Sequence, residues 1–402
     1  MFVFVLIIVA LAAVLVFGRP ILANLGLLNY LPSNLVELIP TLDSSEGELT
    51  QRDHEKLHEQ LANLYVYGRL SDTDQEHYRI MYDALVTREQ RRYPYEDGDE
   101  LSRIRNYIIA DHPELFYVSG VNAHTVTSSS LLGQGSSTTI EGIYRYDVDD
   151  TKKLRRQLEE TAAACIEGIP EGADDYAKAK YLYDYIVKNV EYDWNAYEAV
   201  AGESGEGGGQ TAVDALISKK AVCAGYSSAF QYLAQQLGFP CVYVTGTARD
   251  QAHAWNAVKL DGGFYHVDTT WGDPQFVKEG GEAADVSYVN HDYLCVTTED
   301  ILKDHIIDEG AIVPDCTSTT DNYYRREGLY LETADVESAG ALIQSAAGKG
   351  QTSIQLRCAT RDDFDFLCYS LFDLGEIYGY LEEDTCWYTT NENLLTITVI
   401  FS

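Results

Sequence analysis

Three residues have the types needed to open an acyl bond: Cys223 in "KKAVCAGYSSAF", His253 in "HAWNAVKL" and Asp268 in "FYHVDTTW". A thiolate attacks a carbonyl carbon, an imidazole takes and returns the proton, and a carboxylate holds the imidazole in the useful tautomer and stabilises its charged form. That chemistry requires the three to meet in space. The segment "CAGYSSAFQYLAQQLGFP" reads as a helix that begins at Cys223. Phe230, Leu233 and Leu237 make its apolar stripe, Gly238 is a stop signal, and Pro240 forbids continuation. A helix start offers unpaired N–H groups and the positive end of the macrodipole, which favour a thiolate over a thiol. Ala221, Ala224 and Gly225 leave room for a substrate. The N–H groups of this turn suit a developing oxyanion.

The other two residues fall on a predicted hairpin. "HAWNAVKL" and "FYHVDTTW" flank Asp261-Gly262, a strong two-residue turn signal. With that turn, Leu260 pairs with Gly263, and Trp255 comes opposite Asp268. His253 and Asp268 then become diagonal neighbours on one face. A three-residue turn would change the parity and separate them.

The run "AVCAGYSSAFQYLAQQLGFPCVYVTG…HAWNAVKLDGGFYHVDTTWGDP", continuous from Ala221 to Pro274, resembles the transglutaminase-like superfamily, whose fold is papain-like. The likeness extends more loosely back to about Tyr146 through "YIVKNVEYD". "DHPELFYVSG" is similar to the N-terminal region of bacterial membrane-associated members, and "NYYRREGLYL" with the tail is similar to a C-terminal extension in some of them. The resemblance implies that Cys223 is the nucleophile, His253 the general base and acid, and Asp268 the orienter. It implies acyl transfer through a thioester on a peptide or protein amide, with no cofactor and no catalytic metal. Water as acceptor gives a cysteine peptidase or amidase, the favoured expectation. An amine acceptor gives a protein-glutamine transglutaminase, though no calcium loop of the animal cross-linking type is evident. A non-catalytic binding module that keeps the fold is the competing reading from another class.

Other residues carry weaker signals. Trp255 and Trp271 flank the site and are expected to pack its walls. Tyr226 and Asn256 follow the motif, as site wall or substrate-binding residues without assigned chemistry. Gln210 precedes the nucleophile, where papain-like enzymes place an oxyanion donor, but its spacing does not transfer that role. His266 alternates with Asp268 and is expected to be structural. "HEKLH" at 54–58 matches a zinc-binding helix pattern, yet Lys56 and its charged surroundings favour a solvated helix face. Eight cysteines occur with no C-x-x-C pair, so zinc knuckles and thioredoxin motifs are not supported.

These residues sit in a chain of 402 with 29 basic and 63 acidic residues, a net charge of −34. Such a surface repels phosphate backbones, so nucleic acid is not an expected partner. The apolar run "MFVFVLIIVALAAVLVF" covers about 26 Å as a helix, a borderline membrane span. Residues 1–18 are expected to be a transmembrane anchor or signal-like segment. Arg19 alone favours a body on the cytoplasmic side, whereas the expected placement is a membrane-anchored chain with an extracytoplasmic catalytic body. Periodicity predicts a mainly helical region at 19–112. The core, at 113–315, is expected to pack the nucleophile helix on an antiparallel sheet. A small α+β module follows at 316–402. The expected class is α+β. "GESGEGGG" at 202–209 reads as a flexible acidic loop.

Overall fold

The computed structural model describes residues 47–94, 97–130, 133–201, 208–273, 288–381 and 386–400. The apolar run at 1–18 and most of the acidic loop lie outside the described residues. No helix among the described residues is long and apolar enough to cross a membrane. The chain divides into two compact units.

The first unit comprises Met1–Asn63, Leu70–Ile108 and Val118–Arg145. It contains α1 (Gln51–Leu61), α2 (Asp72–Thr87), β1 (Arg91–Tyr93), most of α3 (Gly98–Asp111), β2 (Val118–Ser130) and β3 (Gly133–Tyr144). Thr50 and Asp53 cap α1 reciprocally, so two N–H groups at the helix start find partners. The strands form an antiparallel sheet in the order β1-β3-β2. Ser, Thr and Gly along β2 and β3 fit a ribbon with little apolar face.

The second unit comprises Leu64–Arg69, Ile109–Tyr117 and Tyr146–Ser402. It opens with two long helices, α4 (Val148–Glu167) and α5 (Asp175–Asn189), each started by an aspartate cap, Asp147 and Asp174. β4 (Glu191–Tyr192), α6 (Trp194–Ala201), α7 (Ala212–Leu216) and β5 (Lys220–Ala221) lead into α8 (Cys223–Gln236). β6 (Cys241–Ala248), β7 (Gln251–Leu260), β8 (Gly263–Val267), β9 (Leu294–Val296) and β10 (His305–Ile307) form one antiparallel sheet in the order β10-β6-β7-β8-β9. α8 is tied to it by Ser227 Oγ, which donates to the Ala254 carbonyl at 2.7 Å, and by Gln231 Nε2, which donates to the Cys241 carbonyl at 3.0 Å. The predicted arrangement of a helix on an antiparallel sheet, in an α+β chain, is what the protein adopts.

The C-terminal elements are α9 (Thr298–Ile301), α10 (Tyr323–Arg326), β11 (Tyr330–Leu331), α11 (Val336–Gly348), β12 (Ser353–Cys358), α12 (Arg361–Cys368), β13 (Trp387–Asn391) and β14 (Thr396–Ile400). The last four strands make a sheet in the order β11-β12-β14-β13. Ile343, Leu356, Leu367, Leu371, Ile397 and Val399 fill its core. α12 continues as a π-helical turn, Tyr369–Asp373. Polar bonds join this sheet to the larger one within the unit. The Gln355 amide oxygen accepts from the His291 backbone at 3.1 Å, and Arg357 pairs with Asp300 at 2.7 Å. None of the eight cysteines is disulfide-bonded.

Candidate active site

Cys223 is the first residue of α8, and extended Val222 caps that helix without a side-chain bond. The entry is fixed by backbone contacts. β5 pairs in parallel with β4, Asp193 N–H donates to the Ala221 carbonyl at 2.9 Å, and Val222 N–H donates to the Gly209 carbonyl at 2.9 Å. The segment through Gly209 crosses the helix start very closely. A Cβ on Gly225 would lie 2.4 Å from the Gly209 oxygen and 2.7 Å from the Ala221 Cβ. Gly209 itself has a φ of +79°, a left-handed conformation that favours glycine. One turn into the helix, the Tyr226 hydroxyl donates to the Val190 carbonyl at 2.8 Å and meets Asp273 Oδ2 at 3.0 Å. Tyr226 therefore braces the start of α8 from beneath. Gln210 belongs to the same crossing segment.

The hairpin has the predicted two-residue turn. Asp261 and Gly262 both have positive φ, and the register runs from Leu260 opposite Gly263 to Asn256 opposite Val267. His253 and Asp268 consequently meet, with Nε2 and Oδ2 2.7 Å apart. The Cys223 side chain lies close enough to the same imidazole to favour its charged form. Cys223, His253 and Asp268 thus form one continuous set drawn from a helix start, a strand and a strand end. Gly246 lies opposite His253 in the sheet. A Cβ there would sit 2.0 Å from the Ile306 carbonyl oxygen and 2.8 Å from the Trp255 ring. This glycine lets β10 and the indole close over the back of the histidine.

Asp268 is fully buried. Its Oδ1 accepts the backbone N–H groups of Thr270 at 2.9 Å and Trp271 at 3.3 Å, and its Oδ2 meets His253 and, at 3.2 Å, His305. Burial alone would raise its pKa; the charges and hydrogen bonds of His253 and His305 outweigh it and hold the carboxylate ionised. For His253, burial would lower the pKa. The Asp268 carboxylate, then the adjoining Cys223, overcome this and push it up to about 10. That direction favours the protonated ring at neutral pH.

Trp255 and Trp271 both pack on the His253 ring, each with a centroid separation of 6.1 Å. Trp255 Nε1 donates to His266 Nδ1 at 3.1 Å, so buried His266 anchors the indole and does not reach the triad. Burial pushes His266 down to about 3, which keeps it neutral and able to accept. Asn256 lies on the opposite pleat, and its amide donates to the Val242 carbonyl at 3.4 Å. His54 of the "HEKLH" segment takes a hydrogen bond from Arg79 Nε at 3.3 Å. His253, Asp268 and His305 do bring three donor atoms within 4.8 Å of one another. These atoms already face each other as hydrogen-bond partners.

Sequence reasoning passed over an aromatic group beside the cysteine. Tyr192, Tyr197 and Tyr243 lie close enough to feel a charge on Cys223. Trp194 stacks edge-on against Tyr192 at 4.7 Å and is 45% exposed. The signal was present in "YDWNAY", where aromatics recur just before the acidic loop.

A sequence model described as "Transglutaminase-like superfamily" matches residues 163–269. The chain is 28% identical over 116 residues to the kyphoscoliosis peptidase of Mus musculus and 27% identical to that of Homo sapiens. These alignments cover 26% of this chain and 17% of either relative. Among solved structures, a TGase aligns with 17% identity and a TM-score of 0.27, over 58% of this chain and 60% of the other. The periplasmic domain of TgpA from Pseudomonas aeruginosa aligns with 16% identity and a TM-score of 0.24, over 39% and 68%. Residues 163–269, which hold Cys223, His253 and Asp268, form a domain of the transglutaminase-like superfamily.

Proposed function

We propose that the chain is a thiol-dependent acyl-transfer enzyme that hydrolyses peptide or protein amides, with Cys223, His253 and Asp268 as its catalytic residues. The observation that carries this reading is the unbroken contact from Cys223 through His253 to Asp268 at a helix start. The Cys223 sulfur adds to the amide carbonyl, and backbone N–H groups of the helix start receive the oxyanion. The C–N bond then breaks as His253 gives its proton to the leaving amine. A thioester remains on Cys223. His253 next takes a proton from water, whose oxygen attacks the thioester. The carboxylic acid leaves and the thiol is restored. The name of the two relatives, kyphoscoliosis peptidase, supports water as the acceptor.

The test is a screen of purified protein against a mixed peptide library with and without a primary amine, read by mass spectrometry. Cleavage at amides in wild type and its loss in Cys223→Ala is the expected result. Amine incorporation without cleavage would make the chain a transglutaminase. Activity that survives Cys223→Ala would overturn the reading altogether. The apolar run at 1–18 is the basis for a proposed membrane anchor, with the body placed outside the cytoplasm as the expectation; protease protection in intact cells against lysed cells tests that placement.

A further inference from the structure

His305 was not marked by any motif, yet it touches the catalytic carboxylate. It is delivered by β10, the edge strand that pairs with β6 through His305 opposite Ala248. It is buried, and both of its ring nitrogens face carboxylate oxygens. Nε2 lies 3.2 Å from Asp268 Oδ2, and Nδ1 lies 2.6 Å from Asp304 Oδ1. A neutral imidazole has one N–H, and an ionised carboxylate only accepts. Both contacts are satisfied together by the imidazolium alone. Asp304 is held in turn. Its Oδ2 takes hydrogen bonds from the Tyr293 hydroxyl and, at 3.3 Å, from Asn393 Nδ2. Asn391 Nδ2 donates to that same tyrosine oxygen at 3.1 Å. The series is therefore cation, anion, cation, anion: His253, Asp268, His305, Asp304.

We propose that His305 is a positioning residue of the Cys-His-Asp set, a fixed imidazolium that pins the same Asp268 oxygen that His253 meets and shares its charge. The inference rests on the catalytic reading of Cys223, His253 and Asp268 given above. The physical need is plain. His253 must release its proton to a leaving amine and then accept one from water. An undivided carboxylate charge 2.7 Å away would hold that proton too firmly. A second cation on the same oxygen weakens that hold and keeps the carboxylate from rotating away.

The other groups that face His305 fit this role. His253 stands 5.4 Å away between ring centroids, on β7, and its charge opposes that of His305. Trp255, Trp271 and Tyr293 enclose the ring at 5.1, 4.8 and 5.4 Å. His266 on β8 feels its charge and stays neutral. Arg249 is stacked at 4.5 Å on Trp271, which packs on the His305 ring. Asp268 and Asp304 are the two anions in contact.

The test uses the full chain labelled with 15N-histidine, together with iodoacetamide labelling of Cys223 followed by peptide mapping. The variants are His253→Ala, His305→Gln and Asp304→Asn. In wild type, the resonance lost in His305→Gln is expected to show both ring nitrogens protonated at neutral pH, with the proton lost only above the ordinary imidazole range. In His305→Gln, the His253 ring is expected to lose its proton at a pH about one unit higher or more, since a cation beside its carboxylate has gone. In Asp304→Asn, His305 is expected to lose its proton at lower pH than in wild type, which supports the inference even where His305→Gln does not fold. A neutral His305 ring at pH 7 in wild type, or an unmoved His253 titration in folded His305→Gln, would overturn it. Suppose labelling of Cys223 depends on His253 while His305 is neutral; then only this inference falls. If labelling ignores His253→Ala, the catalytic reading falls and takes the inference with it.

Discussion

Replacing Gly225 with alanine sets two known effects against each other. Alanine in a helix interior is better than glycine by about 1 kcal/mol, so α8 alone would gain. The added methyl would lie 2.4 Å from the Gly209 carbonyl oxygen and 2.7 Å from the Ala221 Cβ, and both neighbours belong to backbone or a short side chain that cannot swing away. Relieving the first contact moves Gly209 by about 1 Å, since ordinary van der Waals contact begins near 3.4 Å. That shift breaks the 2.9 Å bond from Val222 N–H to the Gly209 carbonyl, at the residue before Cys223. Overpacking of this kind costs about 1–3 kcal/mol, and the lost bond about 1 kcal/mol more. The net expectation is a loss of about 1–3 kcal/mol, or about 1–2 °C in Tm for each kcal/mol in a chain of this size. Urea denaturation followed by circular dichroism measures the loss, and iodoacetamide labelling reads the position of Cys223. A Gly225→Ala protein that is as stable as wild type, with unchanged labelling, would show that helix propensity wins and that the Gly209 crossing does not set the nucleophile's position.

Further expectations concern the buried rings around the site. The folded state holds His253 above its ordinary value of 6.5, at about 10, so its ionic contribution to stability is fully present below pH 6.5 and is lost as pH rises through 10. The stability difference between wild type and His253→Ala should shrink over that interval in urea titrations; a difference independent of pH would contradict the charged ring. His266 has the opposite sign. It stays neutral down to about 3, so folding loses stability as pH falls from 6.5, where the unfolded ring takes up a proton. His266→Gln should flatten that acid limb, and an unchanged slope would place the acid sensitivity elsewhere. Tyr226→Phe should cost about 1–3 kcal/mol by leaving the buried Val190 carbonyl and Asp273 without their shared donor. A cost near zero would remove Tyr226 as the brace beneath α8.

The meeting of Cys223, His253 and Asp268, the proposed catalytic set, was legible because each member is governed by local rules. Gly238 and Pro240 close α8 and so point to its beginning at Cys223. Asp261-Gly262 fixes the parity of a hairpin, and parity alone decides whether His253 and Asp268 share a face. His305 had no such local marker. It lies in a three-residue strand whose pairing partner, β6, is far earlier in the chain. Its importance comes from a contact between distant segments, which no periodicity encodes. The same holds for Gly246. In "CVYVTGTA" it reads as an ordinary weak point in a strand, and its reason is visible only when Ile306 and Trp255 are seen to occupy the space of its missing Cβ.

This difference bears on how the site holds its geometry. Turn and cap residues aim each side chain of the proposed set, but aim is not distance. The distances among Cys223, His253, Asp268 and His305 depend on how closely α8, β7, the end of β8 and β10 approach, and two glycines without turn roles permit close approaches at this site. Gly225 admits the Gly209 segment over the nucleophile's helix, and Gly246 admits β10 behind the base. β10 in turn carries His305 to Asp268. A side chain at Gly246 would push back the strand that supplies the second cation while leaving the sequence of the triad intact. An unaltered Cys, His and Asp is therefore an incomplete criterion for a working site in this fold; the small residues that let the elements close on one another belong to the same specification.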